Sequence, residues 1–93
     1  MSKNISDEEM AKIVGKNIRK YRKLAGYTQK KLAEEAKVDR TAITKAEKGI
    51  FLPTIGFLLS IARALDVEIL EFFTEDKQDE EGIFIVMTVT IDL

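Results

Sequence analysis

The sequence predicts a mainly α-helical domain of five short helices, followed by a linker and one C-terminal β-strand. Three observations lead to this fold class. Apolar residues recur at helical spacing through most of the chain up to residue 74. Residues that cap helix N-termini, or a proline, precede several of these apolar segments. The last eleven residues, 83–93, instead alternate between two faces and are rich in β-branched side chains.

The first helix is predicted to begin after Ser6 and to continue to about Leu24. Ser6 followed by Glu9 has the form of a capping box, in which each residue binds the other's backbone amide. The apolar positions that recur along this helix are Met10, Ile13, Val14, Ile18, Tyr21 and Leu24. Cations occupy its other face, at Lys12, Lys16, Arg19, Lys20 and Lys23. The segment Ala25–Gly26–Tyr27 ends the helix.

Two shorter helices joined by a tight turn are predicted between Thr28 and Gly49. Thr28 and Asp39 are of the types that cap helix N-termini, and glycine commonly follows a helix C-terminus. One face of each helix is apolar, so the two can close on a shared core of Leu32, Ala33, Ala36, Ile43 and Ala46. The other face of the later helix is only hydrogen-bonding or cationic, at Arg40, Thr41, Thr44, Lys45 and Lys48. Such a face is typical of a recognition helix.

An apolar loop, Ile50–Phe51–Leu52, follows these helices, and two interpretations of it are open. Either Phe51 folds back onto the core, or all three side chains face a partner. Pro53 then stands at or just before the start of a fourth helix, which is predicted to continue to about Leu65. The positions predicted to face inward on this helix are Ile55, Leu58, Leu59, Ala62 and Leu65.

The remainder of the chain is predicted as a short helix, a linker and a strand. A turn at Asp66 and Val67 precedes a fifth helix, Glu68–Phe73, whose Ile69, Phe72 and Phe73 close the bundle. Residues 75–82 are acidic and contain no large apolar side chain, so they are predicted to be a linker. Along residues 83–93 one face of the predicted strand carries Ile83, Ile85, Met87, Val89, Ile91 and Leu93.

This strand is the only one that the sequence predicts, and a lone strand leaves its backbone amides and carbonyls unpaired. We expect it to pair with the same strand of a second copy, so that two subunits form an antiparallel ribbon around a two-fold axis. Dimerisation would then use Ile83, Ile85, Met87, Val89 and Ile91. Two alternatives remain open: the strand is added to another protein's sheet, or the C-terminal fragment becomes entangled without any specific pairing.

Residues 10–74 resemble the lambda repressor/Cro-like family of helix-turn-helix DNA-binding proteins, also called XRE-type regulators. The matching residues, at the family's usual spacing, are Gln29, Ala33, Val38, Ile43, Glu47 and Gly49. The resemblance continues upstream over residues 14–29 and downstream over residues 53–73. Lys37 occupies a turn position usually given to glycine, and must tolerate a left-handed conformation at about 1 kcal/mol. Ala46 replaces a larger apolar residue, which predicts a thinly filled corner of the core.

The resemblance implies a five-helix lambda-repressor-like DNA-binding bundle over residues 1–74, with particular contacts to DNA. Base edges would be reached by Arg40, Thr41, Thr44 and Lys45. An arginine suits guanine O6 and N7, and a threonine methyl group suits the methyl group of thymine. Gln29 would direct its own amide and the helix amides to phosphate, and further phosphate contacts would come from Lys48, Arg19, Lys30 and Lys31. For Arg22, pairing with Glu47 is favoured over a direct contact with DNA.

The net charge of −1 is unevenly distributed. Residues 1–50 contain thirteen Lys and Arg against seven Asp and Glu, whereas residues 51–93 contain two against nine. A basic half that carries the recognition helix predicts one side that faces DNA. The expected function is therefore that of a sequence-specific regulator of transcription, a repressor that binds a palindromic operator on double-stranded DNA as a homodimer. The alternative is an antitoxin or adaptor whose apolar loop and strand bind a partner protein.

Composition argues against other classes of function. The chain contains no cysteine and no histidine, so thiol chemistry and the commonest general base and metal ligand are missing. Glu47 alone, with no second catalytic group beside it, does not predict an active site. We therefore expect no enzyme activity, no cofactor and no metal site. No segment is apolar over the roughly 20 residues that a membrane span needs, and no signal peptide is recognisable, which predicts a cytoplasmic protein.

Overall fold

The computed structural model describes residues 4–75, which form four α-helices and one 3-10 helix. The helices are α1 (Asp7–Leu24), α2 (Gln29–Ala36), α3 (Arg40–Glu47), α4 (Ile55–Leu65) and the 3-10 helix (Ile69–Phe73). The mainly α-helical prediction is confirmed over these residues. The predicted strand and all but the first residue of the predicted linker lie outside the described residues. Within residues 4–75, none of the helices combines the length and the apolar character that crossing a membrane requires.

The predicted helix starts are confirmed by their capping hydrogen bonds. The Ser6 hydroxyl accepts from the Glu9 amide at 3.1 Å, and the Glu9 carboxylate accepts from the Ser6 amide at 3.1 Å, which completes the capping box. Thr28 accepts from the Lys31 amide at 3.0 Å at the start of α2. Asp39 accepts from the Thr41 amide at 3.2 Å at the start of α3.

The core lies where α1 packs against α3 and the 3-10 helix, and where α2 packs against α3 and α4. Seven large side chains in it are almost completely withdrawn from solvent: Val14, Ile18, Leu32, Ile43, Leu58, Ile61 and Phe72. The predicted inner faces of α2 and α3 are buried, including Ala33, Ala36 and Ala46. The two helices of the helix-turn-helix unit therefore close on one shared core.

The prediction that Leu24 and Ile55 lie on the apolar, inward faces of their helices is wrong. Leu24 is 72% exposed and Ile55 is 60% exposed. Leu24 lies two residues, or about 200° of helix rotation, beyond Arg22, which is buried. Ile55 lies on nearly the same side of α4 as the buried Ala62, but two turns nearer the N-terminus, so its exposure follows from its place at the helix end. Ile61, which was not predicted to face inward, is fully buried.

The predicted fifth helix is wrong in type, since residues 69–73 form a 3-10 helix. Its N-cap residue, Glu68, makes no capping hydrogen bond through its side chain. The buried side-chain amide of Asn17 instead donates to the carbonyl oxygens of Phe72 at 2.9 Å and Thr74 at 2.8 Å. Tyr21 also donates to the Glu71 carboxylate at 2.7 Å. This short segment is therefore held by hydrogen bonds to α1, with Phe72 buried in the core.

Lys37 adopts the left-handed conformation that its place in the turn predicts, with φ 58° and ψ 45°. The corner at Ala46, predicted to be thinly filled, is closed by a close approach of backbones. A β-carbon on Gly15 of α1 would overlap the carbonyl oxygen of Ala46 and would lie 3.0 Å from that of Glu47. The small residues at this crossing thus allow α1 to lie directly against the end of α3.

Candidate nucleic-acid interface

The polar face of α3 is presented to solvent. Arg40, Thr41, Lys45 and Lys48 are exposed, Thr44 is half-buried, and the opposite face is buried through Ile43 and Ala46. Lys48 lies at the C-cap of the helix. The five side chains therefore lie on one short helix that the core holds from behind.

The Arg22–Glu47 pair fastens the end of α3 to α1. The Arg22 Nε donates to Glu47 Oε2 at 2.6 Å and Nη2 donates to Oε1 at 3.0 Å, so the pair is bidentate. The remaining terminal nitrogen, Nη1, donates to the carbonyl oxygen of Tyr27 at 2.8 Å. The two side chains are only 11% and 4% exposed. Arg22 therefore has the structural role that was favoured for it.

Gln29, the first residue of α2, is tied to α3 at two points. Its Nε2 donates to Glu47 Oε1 at 3.0 Å, and its Oε1 accepts from the Thr44 hydroxyl at 2.7 Å. The sequence predicted that the Gln29 amide is directed at phosphate, but did not anticipate either of these bonds. Arg22, Glu47, Gln29 and Thr44 thus form one hydrogen-bonded chain behind the exposed face of α3, which we call the α3 support chain.

The other predicted phosphate contacts lie on α1 and α2. Arg19, Lys30 and Lys31 are all exposed. Lys31 differs from the other two because its Nζ lies 3.2 Å from Glu35 Oε2. The hydrogen bond to the Glu35 carboxylate, with its negative charge, raises the pKa of Lys31. Lys31 therefore stays cationic at neutral pH, but its charge is partly balanced by its neighbour.

The loop between α3 and α4 is exposed, which decides against a Phe51 folded into the core. Ile50 is 63%, Phe51 37% and Leu52 39% exposed. With the exposed Ile55 they make four exposed apolar side chains within six residues of chain, which we call the apolar loop surface. Exposed apolar side chains that cluster are more informative than single ones, because clusters commonly mark interaction sites.

Within residues 4–75, no group of three or more acidic, cysteine or histidine side chains is arranged to hold a metal ion. The buried carboxylate of Glu47 is fully engaged by Arg22 and Gln29. In this part of the chain the side chains that remain available at the α3 face are cations and the hydroxyl group of Thr41. Such a surface can attract an anion and form hydrogen bonds to it.

Two capped helices that share a core across a left-handed turn, with a polar face on the second, define a helix-turn-helix fold. The family model described as HTH_3, helix-turn-helix, matches residues 18–72. The chain therefore belongs to this family of XRE-type, lambda repressor/Cro-like proteins, and the resemblance seen in the sequence is confirmed.

Several known proteins are similar to this chain. SlrR, an HTH-type transcriptional regulator of Bacillus subtilis strain 168, is 35% identical over 72 residues, which are 76% of this chain and 47% of SlrR. The chain thus spans about half the length of that relative. The crystal structure of C.AhdI, a restriction-modification controller protein from Aeromonas hydrophila, has a TM-score of 0.65 at 30% identity and covers 68% of this chain and 96% of that chain.

A structure of the SinR protein/SinI protein complex is also similar. Its TM-score is 0.65 at 29% identity, and the match covers 85% of this chain and 80% of that chain. The names of these proteins describe a transcriptional regulator, a controller protein and a complex of two proteins. None of the three names describes an enzyme.

Proposed function

We propose that this protein is a transcriptional regulator that binds double-stranded DNA in a sequence-specific manner. The observation that carries the proposal is the polar face of α3, exposed at Arg40, Thr41 and Lys45 and held from behind by the α3 support chain. A recognition helix needs both properties, because its side chains must reach base edges while its backbone stays in register with the groove. The names of the similar proteins support the same function.

The proposed contacts divide into those that read bases and those that position the protein. Base edges are read by Arg40, Thr41, Thr44 and Lys45, which lie on the α3 face. Phosphates are bound by Gln29, Lys48, Arg19, Lys30 and Lys31. We rank Lys31 below Lys30, since Glu35 already lies 3.2 Å from its ammonium group. Contacts to phosphate fix the register on the duplex but carry no sequence information themselves.

We further propose that the protein acts in the cytoplasm as a homodimeric repressor on a palindromic operator. One helix of eight residues reads only a few base pairs, whereas two copies read half-sites about 10 base pairs apart or a multiple of this spacing. In this proposal residues 1–74 bind DNA, 75–82 are the linker and 83–93 pair the two copies. A repressor is favoured because covering a promoter requires no additional interaction surface.

The proposal is tested by selecting bound DNA from a random pool while the mass of the protein is measured in solution. A palindrome with fixed spacing and a dimeric mass are the expected results. Arg40→Ala is then expected to lose about 1–3 kcal/mol of binding at one base pair of each half-site. Arg63→Ala, which removes an exposed arginine of α4, is the matched control. Failure to enrich any sequence would contradict the proposed function.

A second candidate function is the binding of a partner protein, as in an antitoxin or adaptor. The apolar loop surface favours it, because the side chains of Ile50, Phe51 and Leu52 are exposed beside the end of α3. The similar SinR/SinI complex supports protein binding within the family. A partner recovered in stoichiometric amounts from the native host, and lost with Phe51→Ser, would favour this function over DNA reading alone.

A further inference from the structure

We propose that Gln29 makes Thr44 a reader of thymine through its methyl group, and prevents its hydroxyl group from donating to a base. The inference rests on the proposed function, because it specifies how one residue of the α3 face reads DNA. It concerns the only base-reading side chain among the four proposed that is half-buried in the free protein.

The hydroxyl group of Thr44 is already engaged within the protein. Its Oγ1 lies 2.7 Å from Gln29 Oε1 and 3.2 Å from the carbonyl oxygen of Arg40. Both neighbours can only accept a hydrogen bond, and a hydroxyl group has a single proton to donate. Whichever of the two takes this proton, none is left for an acceptor on a base, such as guanine O6 or thymine O4.

The orientation of the Gln29 amide follows from the groups behind it. Arg22 can only donate, and it donates twice to the Glu47 carboxylate, which can only accept. The Gln29 Nε2, 3.0 Å from Glu47 Oε1, must therefore be the end of the amide that faces Glu47. Its oxygen is then turned towards Thr44, so Thr44 must be the donor of their 2.7 Å bond.

The α3 support chain is also hard to rearrange when DNA binds. The Glu47 side chain is 4% exposed and the Arg22 side chain 11% exposed, so turning the Gln29 amide would leave a buried carboxylate with one partner fewer. Thymine presents only an acceptor oxygen and a methyl group in the major groove, so with the Oγ1 proton held on the protein side the methyl carbon of Thr44 is the group that can contact it. A methyl group matches the C5-methyl group of thymine in the major groove.

The test replaces each thymine of the selected operator by uracil, which lacks only the C5-methyl group. For the wild-type protein, one replacement per half-site is expected to weaken binding about fourfold, which corresponds to about 0.8 kcal/mol for one buried methyl group. Thr44→Ser, which keeps the hydroxyl group and removes the methyl group, is expected to bind the thymine operator about fourfold more weakly per half-site. For this variant the same replacement should have no further effect.

Thr41→Ser is the matched control, because it removes a methyl group from the exposed threonine of the same helix, and it should keep the sensitivity at that thymine. Gln29→Ala removes the nearer of the two acceptors of the Thr44 hydroxyl, at 2.7 Å, and leaves only the Arg40 carbonyl at 3.2 Å. Selection with this variant should show a weaker preference for thymine at that one position, a readout that differs from the uniform loss expected of a phosphate contact. A thermal melt of each variant verifies that it is folded.

The outcomes separate this inference from the proposed function. If the wild-type protein enriches an operator but no uracil replacement weakens it, or if Thr44→Ser stays as sensitive as wild type, the methyl role is wrong while DNA reading stands. An undiminished thymine preference in Gln29→Ala would overturn the role of Gln29. If no operator is enriched, the proposed function fails and this inference fails with it.

Discussion

Glu47 shows at the scale of one residue how the polar chemistry of this fold supports its surface. The carboxylate accepts three hydrogen bonds, two from Arg22 and one from Gln29. A buried charge is tolerated only when it is paired and hydrogen-bonded, because desolvation otherwise opposes folding. The single acid in α3 therefore serves to attach this helix to α1 and α2.

We expect Glu47→Ala to lower the free energy of unfolding by about 3–5 kcal/mol, because it leaves the Arg22 guanidinium buried without its counter-ion. Denaturant unfolding followed by circular dichroism measures the change. Glu35→Ala, which breaks the exposed pair with Lys31, is the control and should leave stability nearly unchanged. Equal losses for the two variants would mean that the buried pair does not hold the bundle together.

Lys37 is held in a left-handed conformation, at φ 58°. We expect Lys37→Gly to raise the free energy of unfolding by about 0.5–1 kcal/mol, because glycine adopts this conformation without steric cost. Lys37→Ala, which removes the charge and keeps the β-carbon, should bring no such gain. Thermal unfolding measures the stability of the wild-type protein and the two variants. If Lys37→Ala is stabilised as much as Lys37→Gly, the effect comes from removing the charge and not from the backbone conformation.

At the scale of helices, the crossing of α1 and α3 decides where the polar face of α3 lies. No side chain separates the two helices at Gly15, because a β-carbon there would overlap the Ala46 carbonyl oxygen. The Arg22–Glu47 pair joins the same two helices about two turns further along α1. Packing and ion pairing thus set the position of α3 together.

Gly15→Ala is expected to push α3 away from α1 and to destabilise the fold by about 1–3 kcal/mol through overpacking. Gly56→Ala is a matched control, because Gly56 lies in α4 with open space around its position and alanine should stabilise that helix. Denaturant unfolding measures both. Operator binding should fall for the first variant only, and a stable Gly15→Ala protein would show that the crossing can adjust.

At the scale of the whole molecule, the proposed function depends on two copies acting together. We expect removal of residues 83–93 to leave a monomer with much weaker operator binding, because each half-site would then be bound separately. Analytical ultracentrifugation and operator titration measure the two effects. The shortened protein should retain its helical circular dichroism, since residues 4–75 contain the core described above. A shortened chain that still sediments as a dimer would overturn the role of the strand.

Much of the fold could be predicted because it depends on neighbours in the chain. The caps at Ser6, Thr28 and Asp39 each bind an amide two or three residues away, so residue types and spacing indicate them directly. The left-handed Lys37 follows from its place in a tight turn. In contrast, the choice between Ile55 and Ile61 as core residues depends on where α4 meets other helices, which periodicity alone does not specify.

The helix-turn-helix unit and the polar character of the α3 face follow from residue types and their spacing, since local hydrogen bonds and periodic burial produce both. The packing of the helices, in contrast, leaves the apolar loop surface exposed and lets Asn17 hold the 3-10 helix from α1. It also brings Gln29 to Thr44, a residue 15 positions away. Such contacts join separate elements, and they exist only after packing against a common core has fixed the distances between those elements.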